Sequence, residues 1–289
     1  MTESTIILMP IRTPLPLAHR KYSTITRVVK LVFITLLLSA SATLAAESVV
    51  KTGPLVVADT PKPPSKVLHL VATNFPPFYS ESLQDYGGVA QVVIQAFERQ
   101  GYQVELKFYP FIRATLLVKT GQADGIIGLW YRKEREQWAS YSRPIQATEV
   151  ILLKRKDMPI NYQGIQSLRP YTIGISRGYA NPLAITQAKL TTEEATSDST
   201  NLKKLYLKRI ELALMCRNVA QYWIEQGGEK YQNRFEQLGP ALSVEVFHFG
   251  ASKQIENHLQ LIEDFNAGLS QLSKDGTLLT LLSQYHSPN

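Results

Sequence analysis

The sequence predicts an α/β protein in which helices cover the faces of a sheet, and three observations predict it. Residues 67 to 129 read as strand, helix, strand, helix, strand, which is the alternation of a sheet with helices packed on it. The same kind of alternation returns after Tyr171. Gly101, Pro110, Gly121 and Gly276 stand at the ends of these stretches, where a chain needs residues that stop or start regular structure.

Order begins with VLHLVAT (67–73), an apolar run that reads as a strand. NFPPFY follows, and its two prolines cannot continue that strand because each lacks a backbone donor. From Val89 the apolar positions are 89, 92, 93, 96 and 97, one face of a helix that ends near Gly101. YQVELKF (102–108) then alternates, with Tyr102, Val104, Leu106 and Phe108 on one side and Gln103, Glu105 and Lys107 on the other. Pro110 suits a helix start and Gly121 closes that helix. ADGIIGL (123–129) is a strand. Further on, YTIGI (171–175), RIELALM (209–215) and SVEVFHF (243–249) read as strands, and RNVAQYWIEQG (217–227) as a helix. A long amphipathic helix carries Leu259, Ile262, Phe265, Leu269 and Leu272, and a short helix follows Gly276.

The N-terminal part reads differently. Residues 1–46 have the form of a signal peptide: Arg20, Lys21, Arg27 and Lys30 precede a largely apolar stretch, Leu31 to Ala42, and Ala45-Ala46 offers a cleavage site. A retained membrane anchor is the alternative. Residues 47–66, with Pro54, Pro61, Pro63 and Pro64 and no periodicity, read as a tether. Cleavage near residues 45–46 lowers the formal net charge from +7 to +3. The basic balance is therefore largely the leader's, and no Lys/Arg tract with interleaved aromatics points to nucleic acid. Cys216 is the one cysteine of the 289 residues, so an exported chain of this kind has no internal disulfide and depends on its core.

A set of features then resembles a known family: the order of elements, the NFPPF turn, the Gly121-Gln122-Ala123-Asp124-Gly125 strand entry, Arg135 six residues before Tyr141-Ser142-x-Pro144, the Arg177-Gly178 turn, and the closing DFNAGLSQLSKDGTLLTLLSQY. Together, from about Val67 to Tyr285, they resemble family 3 extracellular solute-binding proteins, the periplasmic receptors of polar amino-acid ABC transporters. The resemblance implies a two-lobed type II periplasmic binding protein, each lobe a central sheet flanked by helices. It implies two crossover strands, near Glu149–Arg155 and Phe247–Gly250, with lobe 1 at 67–150 plus 250–289 and lobe 2 at 151–249. A ligand would lie in the cleft, and the mature chain would work in the periplasm.

On this resemblance the stretch WYRKEREQWASYS (130–142) gains a purpose, because ligands of open α/β sheets lie beyond the carboxyl ends of the strands. Arg135 matches the family arginine that grips a ligand's α-carboxylate with two parallel hydrogen bonds. Its alternative is a solvated charged helix in which Arg132, Glu134 and Arg135 pair among themselves. Phe75 stands where the family has an aromatic stacked on the ligand; its alternative is a turn residue packed on Phe78. Trp130 and Tyr131 follow a strand directly and are candidates for the cleft wall. Gly178, Tyr179 and Ala180 lie after a strand and before a helix, where backbone N–H groups would face an anion; an ordinary turn is the alternative. Cys216 departs from the pattern. It occupies the position at which amino-acid receptors carry an acidic residue for the ligand's ammonium, and a neutral thiol cannot balance that charge. Either another carboxylate does so or the ligand is not a free α-amino acid.

The leading expectation is capture of a small carboxylate-bearing solute, with polar amino acids among the candidates, by a monomer whose lobes close and then present it to an ABC permease. A stand-alone receptor docking on a membrane sensor is the second expectation. A remote third is a serine hydrolase: Gly174-Ile175-Ser176-Arg177-Gly178 fits G-x-S-x-G, and Asp198 and His248 follow in order, but no HGGG-like oxyanion loop accompanies them. No cofactor, metal or nucleic acid is expected, since the histidines are scattered and no phosphate loop occurs.

Overall fold

The computed structural model describes residues 66–284. The expected signal peptide and all of the expected tether except Lys66 lie outside the described residues. Strand β1 (Lys66–Ala72) enters the core, and helix α1 (Gly88–Glu98) follows it. Next come β2 (Tyr102–Phe108), α2 (Phe111–Lys119) and β3 (Gly125–Trp130). A single 3-10 turn at Lys133–Gln137 leads to the short β4 (Ala139–Tyr141) and the long β5 (Gln146–Arg155). Then follow β6 (Ile173–Ser176), α3 (Leu183–Gln187), β7 (Thr192–Ala195), α4 (Asp198–Tyr206), β8 (Leu212–Cys216) and α5 (Arg217–Gln226). The chain closes with the 18-residue β9 (Phe235–Ser252), α6 (His258–Lys274) and α7 (Thr277–Gln284).

These strands form one nine-stranded curled sheet in the order β2-β1-β3-β9-β5-β8-β6-β7, with β4 also on β9. β1 pairs in parallel with β2 and β3, and β6 in parallel with β7 and β8. Between these two parallel sets lie β9 and β5, antiparallel to each other and to their outer neighbours. The sheet thus has two halves, and the later part of β9 belongs with β3 and β4 while its earlier part runs beside β5. The β5–β9 ladder breaks once: Val150 faces Ser243 but Leu152 faces Leu238, so residues 239–242 of β9 bulge opposite Ile151.

Sequence and burial agree on why these elements form. β3 and β8 are buried almost throughout, as parallel strands with helices on both faces must be. β2 lies at the edge and keeps its alternation, Tyr102 inward and Gln103 exposed. In the first half α1 and α6 pack on one face around Phe97, Phe249 and Phe265, while α2 covers the other through Ala114 and Val118. In the second half α4 and α5 cover Ile151, Leu153, Ala213 and Met215.

Three expectations need correction. In α6, Leu259 is exposed and Leu261 is fully buried in its place. The helix after Gly178 begins only at Leu183, because Pro182 caps it. β7 and α4 have no counterpart among the sequence expectations. Among the described residues no helix is long and apolar enough to cross a membrane.

Candidate ligand-binding site

The carboxyl ends of β1, β3, β6 and β8 converge where the two halves meet, so the residues just beyond each strand face one another. Thr73 and Phe75 come from β1, Trp130 and Arg135 from β3, and Tyr179 and Ala180 from β6. With Tyr79, Phe111 and Gly128 they line a small cavity of about 30 Å³. A second cavity of about 20 Å³ adjoins it and shares Phe75, Trp130, Tyr179 and Ala180; Ser176, Asp198 and Cys216 line its far side.

The charged turn after β3 divides its charges by role. Arg132 makes a two-pronged ion pair with Glu245 of β9, Nη1 to Oε2 at 2.8 Å and Nη2 to Oε1 at 3.0 Å. Glu245 also accepts from Ser243 Oγ at 2.9 Å. Glu136 accepts from the Tyr131 hydroxyl at 2.8 Å. The turn is thereby tied to the sheet, and Arg135 is left over. Its Nη1 donates to the Trp130 carbonyl at 2.9 Å, and its guanidinium lies 5.3 Å from the centre of the Phe111 ring. It forms no ion pair with a carboxylate among the described residues. Burial pulls its pKa below the usual arginine value, and the neighbouring Arg132 adds to that. The internal pairing of Arg132, Glu134 and Arg135 is therefore not what forms.

Phe75 is buried within an aromatic cluster. Its ring centre lies 5.7 Å from Tyr179, 5.8 Å from Tyr79, 6.0 Å from Phe78 and 6.2 Å from Trp130. It packs on Phe78, as the turn reading expects, and it lines both cavities. Tyr179 reaches across from the second half: its ring sits 5.5 Å from Phe111 and its hydroxyl bonds the Thr73 side chain. Tyr79, which sequence reasoning missed, is buried with its hydroxyl 3.4 Å from the Gly128 carbonyl. The aromatic-rich NFPPFY segment was its only signal.

Other expected residues are placed differently. Tyr131 is half exposed, packs edge-on against Tyr141 and does not line either cavity. Gly178 faces Ile112 of α2 rather than the cavities. The amide of Tyr179 is occupied by the Ser176 carbonyl at 3.2 Å, which belongs to a turn and not to a helix start. Cys216 is buried on the second cavity, and burial pushes its thiol pKa well up.

The residues of the G-x-S-x-G reading separate in space. Ser176 Oγ donates directly to Asp198 Oδ1 at 2.7 Å. His248 instead contacts the Ser142 carbonyl through Nδ1 at 2.8 Å and packs edge-on against Tyr141. Among the described residues no histidine contacts Ser176, so the expected relay through His248 is not assembled. Among the described residues no group of three or more His, Cys, Asp or Glu could hold a metal.

Residues 68–288 match the family model of the bacterial extracellular solute-binding proteins, family 3. No curated protein matches the sequence. Solved structures of the type II periplasmic-binding-protein fold superpose well. An arginine transport-system periplasmic binding protein from Legionella pneumophila shares 21% identity at a TM-score of 0.65, over 76% of this chain and 100% of that one. The GluR0 ligand-binding core from Nostoc punctiforme, in complex with L-glutamate, shares 17% at 0.65, over 76% and 100%. A histidine kinase sensor domain similar to periplasmic binding proteins shares 16% at 0.67, over 75% and 95%. At these identities the likeness is one of fold.

Proposed function

The chain belongs to the bacterial extracellular solute-binding proteins, family 3, and from that premise we propose that it captures a small carboxylate-bearing solute in the periplasm and delivers it to an ABC permease. In this reading the two halves of the sheet act as lobes, 67–150 plus 250–289 and 151–249, that close on the ligand as a monomer. Arg135 carries the proposal. Its guanidinium lines a cavity between strand ends, is held by one carbonyl and one ring face, and has no anionic partner among the described residues. A partly buried cation in that state is stabilised by an incoming carboxylate, which a planar fork of donors grips in two places. Phe75, Trp130 and Tyr179 supply the apolar walls usual in small-molecule sites.

Thermal-shift screening of the mature protein against amino acids, other carboxylates and short peptides identifies the ligand, since binding to the folded state raises the melting temperature. Calorimetry then tests Arg135. Substitution by Ala strands a desolvated carboxylate and weakens binding by about 2–5 kcal/mol, roughly thirty- to several-thousand-fold. An unchanged dissociation constant refutes the assignment.

The likeness to a histidine kinase sensor domain favours a second reading, a receptor whose liganded form docks on a membrane sensor. Loss of solute uptake in cells lacking the protein supports delivery; intact uptake with loss of a transcriptional response to the solute supports sensing.

A further inference from the structure

The far end of β5 carries a feature that solute capture does not use. Val150 of β5 borders the second cavity, and Arg155 ends the strand five residues later, about 17 Å away at strand spacing. There, where β5 ends, β9 begins and α4 stops, lies a surface cavity of about 520 Å³, much larger than either cavity between the strand ends. Arg155, Lys156, Lys208 and Arg234 line it together with one carboxylate, Asp157. That carboxylate is already engaged twice, by Arg155 Nε at 3.0 Å and by Lys208 Nζ at 3.3 Å. Arg155 is largely buried and fixed: its Nη1 donates to the carbonyls of Leu205 at 3.0 Å and Ile210 at 3.3 Å. The Lys156 amide donates to the Arg234 carbonyl at 2.9 Å, which keeps these two residues side by side. Neither forms an ion pair among the described residues, and Glu236, close by on β9, is taken by Lys154 at 2.5 Å. Lys208 is held there against its backbone preference. It has a φ of +60° at the close of α4, where Arg209 N–H donates to the Lys204 carbonyl at 2.9 Å and Lys208 N–H to that of Leu205 at 3.2 Å. Glycine is the usual residue at that point of a helix end, and a lysine is strained in it. Tyr206 gives the cavity an aromatic wall, and Lys230 Nζ stands 5.1 Å over the other residues' neighbour, that same ring.

We propose that this cavity binds a phosphate group, as a second site separate from the one between the strand ends. Four cations against one carboxylate leave an excess of three positive charges, which repel one another until an anion enters. A phosphate monoester brings up to two negative charges and oxygens enough for several donors at once. A guanidinium grips two of those oxygens, and an ammonium acts on them as a point charge. A carboxylate offers one charge and two oxygens, and leaves most of the excess in place. The cavity volume lies within the range of small-molecule sites. None of its residues belongs to the site of Arg135 and Phe75, so either assignment can fail without the other. The chemistry is the same whether the phosphate is carried by a soluble compound or by a lipid headgroup, and the experiment separates the two sources.

Protein purified from cells expressing the full chain is titrated by calorimetry, near neutral pH and at low salt, with inorganic phosphate, pyrophosphate and acetate. It is also sedimented with vesicles of equal parts phosphatidic acid and phosphatidylcholine, and with vesicles of phosphatidylcholine alone. Phosphate or pyrophosphate is expected to bind about tenfold or more tightly than acetate. Lys208→Gly and Arg234→Gln are each expected to weaken that binding about threefold, and about tenfold together, since both side chains are exposed. Glycine suits the backbone at 208, so the melting temperature of Lys208→Gly is expected to equal or exceed that of the wild type, and its lost affinity then reads binding and not folding. Saturable binding of the free probes identifies a soluble source. Sedimentation that needs phosphatidic acid and is lost in the double variant, without binding of the free probes, identifies a headgroup. Acetate bound as tightly as phosphate overturns the assignment. So does a double variant within twofold of wild type, or a wild-type protein that binds neither the free probes nor the phosphatidic acid vesicles.

Discussion

Replacing Gly178 by Ala tests whether the two halves come together on the ligand. Gly178 lies in the turn after β6 in the second half and has a φ of +76°. A Cβ added there would sit 2.8 Å from Cγ1 of Ile112, on α2 of the first half. Two separable costs follow. The left-handed backbone costs an alanine about 1–2 kcal/mol, and this applies whether or not the halves touch, so it appears in the melting temperature. The contact with Ile112 exists only when they touch. Relieving it requires Ile112 to leave its rotamer or the turn to shift, which costs roughly 0.5–1.5 kcal/mol. If binding requires contact between the halves, the dissociation constant of the screened ligand rises about two- to tenfold. Ile112 is 54% exposed, so Ile112→Ala alone leaves affinity nearly unchanged while removing the obstacle. The double variant should then recover wild-type affinity but keep the lowered melting temperature. Calorimetry on the four proteins gives the coupling energy. A coupling below about 0.3–0.5 kcal/mol, the usual limit of additivity, would show that Gly178 and Ile112 do not meet in the liganded state and would refute the reasoning.

Two further outcomes follow from the same structure. Burial pushes the Asp198 carboxyl from 3.8 up to about 6, against the lowering effect of the Ser176 hydrogen bond. Its folded form therefore holds a proton more tightly than its unfolded form, so this group's stabilisation is complete below pH ~4 and is lost as pH rises through 6. The loss is about 3 kcal/mol at most for a shift of some two units. Tyr79, Tyr179 and Cys216, which face it, are pushed upward and stay protonated across that window. Thermal melts of wild type and Asp198→Asn between pH 4.5 and 7.5 should diverge as pH rises, with the variant the more stable; parallel curves would contradict this. Away from the site, a Cβ on Gly268 of α6 would run into the Ala96 carbonyl of α1, so Gly268→Ala should lower stability by about 1–3 kcal/mol in urea melts with ligand affinity unchanged.

The elements that were legible in the sequence are those with strong local signals. β1, α1, β2 and α2 are bounded by Pro or Gly and carry a clear apolar period, and each lies close to its expected place. β7 escaped because Thr192-Glu193-Glu194 is exposed and lies at the sheet edge, where neither face demands apolar residues. α4 escaped because DSTNLKKLY has little apolar content, although Ser197 does cap it by accepting from the Thr200 amide. The delayed start of α3 had a signal in Pro182, which suits the entry of a helix better than Gly178 does. In the site, spacing and resemblance led to Arg135, Phe75 and Trp130, which all line the cavities. Asp198 could not be located that way. It reaches Cys216 only because α4 starts beside β6 and β8, a juxtaposition made by the sheet order and not by sequence distance.

The bulge in β9 makes the two central strands unequal partners. Residues 239–242 give that strand spare length where β5 offers only Ile151. Were one side of the molecule to swing, β5 would serve as the taut pivot, while the looser ribbon beside it could uncoil without giving up the pairs above and below. The swing would then favour one axis over all others, much as a door is governed by the side on which it is hung.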